Sequence, residues 1–431
     1  MQCWSDGHVG AAMHELAREL YPICRSITGD GVRQTLGILR RIIDLKIHEI
    51  PSGTAVFDWT VPKEWNIRDA FIKDPSGVKI VDFADCNLHV MSYSTPVRAR
   101  LSLAELKNHI FTLPEYPEWI PYRTSYYTEN WAFCMSHRQF LELPEGEYEV
   151  YIDTTLEDGA LTYGEYVVPG ETEEEVVFSC HVCHPSLAND NLSAIAVAAF
   201  LARWLSTKQR RYSYRFLFTP GAIGSIVWLA LNEAQLTRVH AGLVLACLGD
   251  GGPFTYKKSR RGDSEIDRVV SQALKESSTA HEIIDFFPFG YDERQFCSPG
   301  INLPMGALMC TPHGQFAEYH TSADDLEFIK AENLAVSFAL CRRIVELLED
   351  NRTFINLNPK CEPQLGRRGL YGSVGGQSGK GREMALLWVL NFSDGAHSLL
   401  DIAARSGLSF AQIADAADAL KDHGLLAARP S

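Results

Sequence analysis

The sequence predicts an α/β protein, one sheet with helices on both faces, carrying a β-rich insertion and a small helical module at its C-terminal end. Three observations predict it. From Val176 onward, short apolar runs alternate with segments of helical periodicity, and strands covered on both faces are continuously apolar rather than alternating. Residues 47–166 have a different texture, short β-prone pieces divided by Pro, Gly and Asn. A Gly-rich stretch at 366–381 then precedes a tail of three helical segments. With 431 residues, 46% hydrophobic and 22% charged, the chain is long enough for two or three domains with a substantial core.

Taken in order, residues 11–20 and 32–43 carry helical patterns joined by Cys24-Arg25-Ser26-Ile27-Thr28-Gly29-Asp30-Gly31, where the glycines close one helix and open the next. The insertion includes Ala55-Val56-Phe57-Asp58-Trp59, Lys79-Ile80-Val81-Asp82-Phe83 and Glu149-Val150-Tyr151-Ile152. Its aromatics, among them Trp59, Trp65, Trp119, Tyr122, Tyr126, Tyr127, Trp131 and Phe133, fill a β core or wall a pocket. After the strand at Val176, a helix is expected over 190–205, a strand over 214–219, a helix over 223–233, a strand over 241–247, a helix over 264–276 and a strand over 303–309. A helix over 331–350 closes the region. The expected domains are therefore 1–46 with 167–362, the insertion 47–166, and a linker with a winged-helix-like module at 363–431.

Composition excludes several functions. A net charge of −14 and a pI near 5.5 argue against a protein whose main task is binding phosphate backbones. From residue 365 the tail has 7 Lys and Arg against 6 Asp and Glu, so it lacks the basic stripe that DNA binding requires, and packing or homo-oligomer formation is the expected role. Eleven cysteines without framework spacing read as reduced thiols rather than a secreted disulfide scaffold. The start, Met1-Gln2-Cys3-Trp4-Ser5-Asp6, lacks the basic and apolar regions of a signal peptide, and no run is apolar enough to span a bilayer. A cytoplasmic protein without nucleic-acid or membrane partners is expected.

The chemistry gathers after the run Val176-Val177-Phe178-Ser179-Cys180, which ends in His181-Val182-Cys183-His184 and turns through Asn189-Asp190-Asn191. In open α/β sheets ligands bind outside the carboxyl ends of strands, which places His181, His184 and Asp190 at a crevice. Imidazole nitrogens with a carboxylate are the usual donors for zinc. A lone His at a strand end is more often a satisfied polar residue, but here two stand within four residues beside an Asp. Cys180-x-x-Cys183 has no second such pair, which disfavours a zinc ribbon. Further polar clusters follow later strands: Gly249-Asp250, Asp292-Glu293-Arg294, and Glu318-Tyr319-His320-Thr321-Ser322-Ala323-Asp324. Together they make a carboxylate and imidazole crevice.

These motifs, in this order, resemble the zinc aminopeptidase superfamily that contains bacterial leucyl aminopeptidases and glutaminyl cyclases. Cys24-Arg25-Ser26-Ile27-Thr28-Gly29, His181-x-Cys183-His184-Pro185-Ser186, Asn189-Asp190-Asn191-Leu192-Ser193, Asp292-Glu293-Arg294-Gln295 and Glu318 to Asp324 are similar to a branch of bacterial aminopeptidase-like proteins. That branch has an inserted β domain and a C-terminal winged helix, and the resemblance covers nearly the whole chain. It implies a zinc-aminopeptidase-like sheet with His181, Asp190, Asp250 and His320 as metal ligands, Asp190 in the bridging place and His184 as the alternative first ligand. Cys183 stands where the superfamily has an Asp that orients the His.

One departure bears on mechanism. Where the superfamily places a Glu pair after the next strand, this chain reads Thr219-Pro220-Gly221-Ala222-Ile223-Gly224, and neither Gly221 nor Ala222 can take a proton from water. Glu318, Asp292, Glu293 and Tyr319 are the available substitutes, and Gln315 also departs from the acidic residue expected in this branch. The loss of carboxylates at Gly221 and Ala222 empties half of the second metal site that the resemblance implies, so about one zinc ion per chain is expected. The resemblance further implies a small-molecule or peptide substrate with a free amine, its ammonium held by Asp292, Glu293 or Glu318 and its carboxylate or oxyanion by Arg294. A non-hydrolytic acyltransferase or cyclase in small-molecule biosynthesis, and a binding protein without turnover, are the alternatives. Restoring a Glu at Gly221 is expected to raise the hydrolytic rate.

Overall fold

The protein, seen in a computed structural model, is described over residues 6–371 and 380–429. It divides into two units, 1–342 and 343–431. The first is built on an eight-stranded mixed sheet in the order Lys46–Pro51, Ala160–Val168, Ser213–Thr219, Glu175–His181, Val239–Leu245, Met305–Met309, Phe254–Lys257, His281–Ile284. The strands Ser213–Thr219, Glu175–His181, Val239–Leu245 and Met305–Met309 run parallel to one another at its centre. All of Glu175–His181 is buried, as its continuous apolar run requires. The helix Ala194–Leu205 packs on that strand and on Ser213–Thr219, while Glu265–Ser277 packs on the strands toward the other edge.

The insertion is shorter than its β texture suggests. Lys46–Pro51 and Ala160–Val168 pair with each other and extend the main sheet as far as Ser213–Thr219, so the insertion runs over 52–159 rather than 47–166. Antiparallel strands at a sheet margin alternate in polarity much as strands of a small β domain do, and that likeness hides the boundary. The inserted sheet itself is antiparallel, in the order Lys79–Asp82, Glu64–Lys73, Glu147–Glu157, Val97–Ser102. Ile72, Val81, Phe133, Tyr148 and Val150 lie in its core.

The second unit also begins earlier than its helices indicate. Thr353–Asn356 is the middle strand of a three-stranded sheet, between Asp394–Ser398 and Leu426–Ala428, so the module does not start at 363. Four residues of mixed burial followed by Pro359 and Pro363 read as linker in the sequence. Helices Leu399–Ser406 and Phe410–Asp422 each start with a capping box, Ser398 with Asp401 and Ser409 with Gln412. Leu399, Ile402, Ile413, Leu420 and Leu425 are all buried. Residues 372–379 of the expected linker at 366–381 lie outside the described residues, as do residues 1–5 of the N-terminal segment read for a signal peptide. Among the described residues no helix is long and apolar enough to cross a membrane.

Candidate metal centre

His181 ends its strand at the carboxyl edge of the sheet, and the chain then runs through Val182 to Leu187 before an irregular turn. That turn is not the continuous helix expected over 190–205. Asp190 and Asn191 have non-helical backbone angles, and the regular helix starts at Ala194. The irregularity has a cause in hydrogen bonding. The Asp324 carboxylate accepts the N–H groups of Asn189 at 2.5 Å and Asp190 at 2.9 Å, while its carbonyl accepts that of Ala188. Burial pushes Asp324 up to about 8, opposed by these same N–H groups.

The turn delivers Asp190, fully buried, between two imidazoles. His181 Nε2 lies 2.8 Å from Asp190 Oδ1, and His320 Nε2 lies 3.1 Å from Asp190 Oδ2. His184 completes the group: donor atoms of His181, His184 and Asp190 all lie within 4.8 Å of one another. Burial holds the His184 imidazole well below its ordinary pKa, and its Nδ1 is buried without a hydrogen-bond partner. Burial would lift Asp190, but the surrounding imidazoles, His184 first and then His181, outweigh it and hold the carboxylate well below its usual range. A zinc ion fits this donor set. Neutral imidazoles and one ionised carboxylate are its ordinary partners, and a cation would satisfy the orphaned nitrogen of His184.

The support around these donors departs from expectation in two places. His181 Nδ1 faces Asn191 Nδ2 at 3.2 Å, and Asn191 also donates to the Leu245 carbonyl, so an amide rather than a carboxylate orients this ring. Cys183 instead turns its Sγ toward the Gly221 carbonyl at 3.7 Å. Asp250 does not join the group. Its Oδ1 accepts the Gly252 N–H and its Oδ2 that of Thr311. The residue from that loop which approaches the centre is Cys247, whose Sγ is 3.1 Å from the Tyr291 hydroxyl, and the Tyr291 ring stacks on His181 at 5.1 Å.

The expected catalytic residues separate clearly. Asp292 is buried beside the position left open at Gly221: a Cβ there would stand 3.1 Å from His181 Cβ and 3.2 Å from Asp292 Oδ1. Burial pushes Asp292 up to about 6, opposed by the nearby His181, and its Oδ2 has no partner. Glu293 is committed elsewhere, in a fully buried ion pair with Lys257 at 2.8 Å. Arg294 is half-buried with an unpartnered Nε. Tyr319 stacks on His320 at 3.9 Å. Glu318 is half-buried, and its carbonyl accepts from Thr321.

Two contributions were not legible in the sequence. Tyr122, from the insertion, meets His184 and His320 edge-on at 5.2 and 5.1 Å. It is brought there by backbone bonds, Tyr122 N–H to the His320 carbonyl and Ser322 N–H to the Ile120 carbonyl. Its only sequence signal was membership of the aromatic set in the insertion. Arg25, from the Cys24 to Gly29 motif, is buried and donates from Nε to the His184 carbonyl at 2.8 Å. It thereby pins the backbone that carries the ligand.

Fold and site together define an aminopeptidase-like α/β protein with a His and Asp donor group. The chain belongs to the family described as "Domain of unknown function (DUF4910)", whose model matches residues 14–351, and a winged helix-turn-helix model matches residues 352–428. A Clostridium acetobutylicum relative is 52% identical over 417 residues, 96% of each chain, and is provisionally named a polysaccharide biosynthesis protein with an aminopeptidase-like domain. A crystal structure from Clostridium acetobutylicum, provisionally named a peptidase, superposes with a TM-score of 0.93 at 51% identity, covering 98% of this chain and 97% of that one. The zinc aminopeptidase of Bacillus subtilis matches with a TM-score of 0.58 at 14% identity, over 81% of this chain and 96% of its own. At that identity the likeness is one of fold.

Proposed function

We propose that this chain is a zinc-dependent amide hydrolase acting on a small molecule with a free amine, and that Asp292 is its general base. The observation that carries the reading is the exchange at Gly221: the side chain missing there leaves room beside His181, and a buried carboxylate with one unpartnered oxygen stands in that room. His181, His184 and Asp190 would hold the metal, with His320 on the far oxygen of Asp190. Bound zinc supplies a Lewis acid for the amide carbonyl. Asp292 Oδ2 takes the proton of the attacking water and returns it to the leaving nitrogen. With Glu293 tied to Lys257, Glu318 is the carboxylate left for the substrate ammonium, and Arg294 serves a substrate carboxylate or the developing oxyanion. The name of the Clostridium acetobutylicum relative supports a substrate drawn from saccharide assembly.

The test combines elemental analysis with rates on aminoacyl anilides and N-acylated amino sugars. Native protein is expected to hold about one zinc ion per chain and to release amine. Asp292→Asn should keep the metal and lose roughly 10²- to 10⁴-fold in rate, the usual contribution of a positioned base. An Asp292→Asn variant as fast as the native chain would remove Asp292 from the mechanism. A zinc-loaded native chain that transfers acyl groups to amines but never to water would favour the transferase reading.

A further inference from the structure

A cavity between the insertion and the main sheet's helices lies outside the metal centre and has no part in the mechanism above. It is walled on one side by the short hairpin of the insertion, Ala55–Val56 and Trp59–Thr60, and on the other by the helix Ile223–Leu231 and the residues after Asp292. Its volume is about 300 Å³, at the lower end of the range for small-molecule sites. Phe57 and Trp59 face it while remaining 53% and 46% exposed. Asp58, Glu233, Gln295 and Ser298 add carboxylate, amide and hydroxyl groups.

We propose that this cavity is a saccharide subsite in which a pyranose ring lies against Trp59. A pyranose has an apolar face of C–H groups and an equatorial rim of hydroxyls, and this lining offers flat aromatic surface together with hydrogen-bonding groups of both polarities. An aliphatic or aromatic peptide side chain would use the rings and leave the polar groups without partners. A phosphorylated ligand would meet Asp58 and Glu233 with like charge.

Position links the cavity to the metal centre. Ile226 lies four residues beyond Ala222, about 6 Å along the helix, and Gln295 follows Asp292 within one turn. On the insertion side the Trp59 ring meets Tyr127 at 5.6 Å. The neighbouring Tyr126 hydroxyl is 2.8 Å from that of Tyr122, which in turn touches His184. The cavity is thus lined by the same two elements that carry Gly221 and Asp292 toward the metal centre; a part for this subsite in the reaction rests on the hydrolase reading, whereas binding of the ring does not.

The full-length chain, with and without added zinc, is titrated with N-acetylglucosamine, its β-1,4-linked disaccharide and a Leu-Phe dipeptide, followed by saturation-transfer NMR and calorimetry. Saturable sugar binding is expected, strengthened in the disaccharide, with at least a tenfold rise in Kd for Trp59→Ala and little change for Trp59→Phe. Phe57→Ala, at an equally exposed position, should weaken binding in the same direction. Asp292→Asn should bind the sugars as the native chain does, so that failure of the base assignment leaves this proposal standing. Absence of saturable sugar binding, equal affinity in Trp59→Ala, or a preference for the dipeptide would overturn it.

Discussion

Replacing Gly221 with Glu tests whether the general base has been lost or moved. A Cβ at 221 would lie 3.1 Å from His181 Cβ and 3.2 Å from Asp292 Oδ1, so the neighbours must give by a few tenths of an ångström before the rest of the side chain is placed. Its carboxylate would then share a confined space with that of Asp292. Two like charges about 4 Å apart repel by roughly 4 kcal/mol at an effective dielectric constant near 20, or about three pKa units. One of the two must stay protonated or swing away. The closeness of Asp292 thus reverses the expectation drawn from the sequence that a Glu at 221 would raise the rate: Gly221→Glu alone is expected to be at least tenfold slower than the native chain on the same amide panel, with zinc content checked by elemental analysis. In the double variant Gly221→Glu with Asp292→Asn, one ionised carboxylate again stands beside His181, and the rate should recover at least tenfold over Asp292→Asn. A single variant as fast as the native chain, or a double variant no better than Asp292→Asn, would refute the idea that one carboxylate has replaced the other.

The buried pair of Lys257 and Glu293, each side chain 1% exposed, makes Lys257→Met costly, because Glu293 is left buried without its partner; a loss of roughly 3–5 kcal/mol is expected in chemical denaturation. Adding Glu293→Leu should recover much of it, and a single variant as stable as the native chain would contradict the pairing. Arg33 holds Glu64 down to about 2 through hydrogen bonds. Its folded pKa is depressed, so the stabilisation is present above the unfolded value of roughly 4.3 and is lost as pH falls through about 2. Glu64→Gln should therefore cost about 1–2 kcal/mol near neutrality after solvent screening and flatten stability against pH in that acid window; an unchanged acid limb would count against it.

What the sequence reveals follows the range over which its signals act. His181, His184 and Asp190 are legible because they stand within ten residues on a strand end and the turn after it. Asp292 was visible only as one of four substitutes. What selects it is its approach to Gly221, a contact across about seventy residues that no local pattern encodes. Asp250 was misplaced for a related reason. It follows the right strand, but the loop beyond Leu245 turns Cys247 toward Tyr291 and leaves the Asp250 carboxylate accepting backbone N–H groups. Tyr122 was hidden more deeply, since its place against the imidazoles depends on how the insertion pairs with 320–322. The domain limits failed where a strand belongs to a sheet whose other members are distant in sequence, at 46–51, 160–168 and 353–356.

Gly221 and Asp292 constrain each other by closeness: a Cβ at 221 would begin 3.2 Å from Asp292 Oδ1, so a carboxylate after the strand Ser213–Thr219 would crowd the one at 292. Glu293 lies next to Asp292 and would add a second buried negative charge, which Lys257 compensates at 2.8 Å. Phe286 and Phe287 pack over the Lys257 ammonium at 5.1 and 4.0 Å, shielding the pair from water. The ion pair fixes the backbone beside Asp292, so the Asp292 carboxylate is held by buried structure instead of by an exposed loop. Burying the Asp292 carboxylate with an unpartnered oxygen near His181 costs stability unless that oxygen takes up a proton or a ligand, which is the task a general base performs.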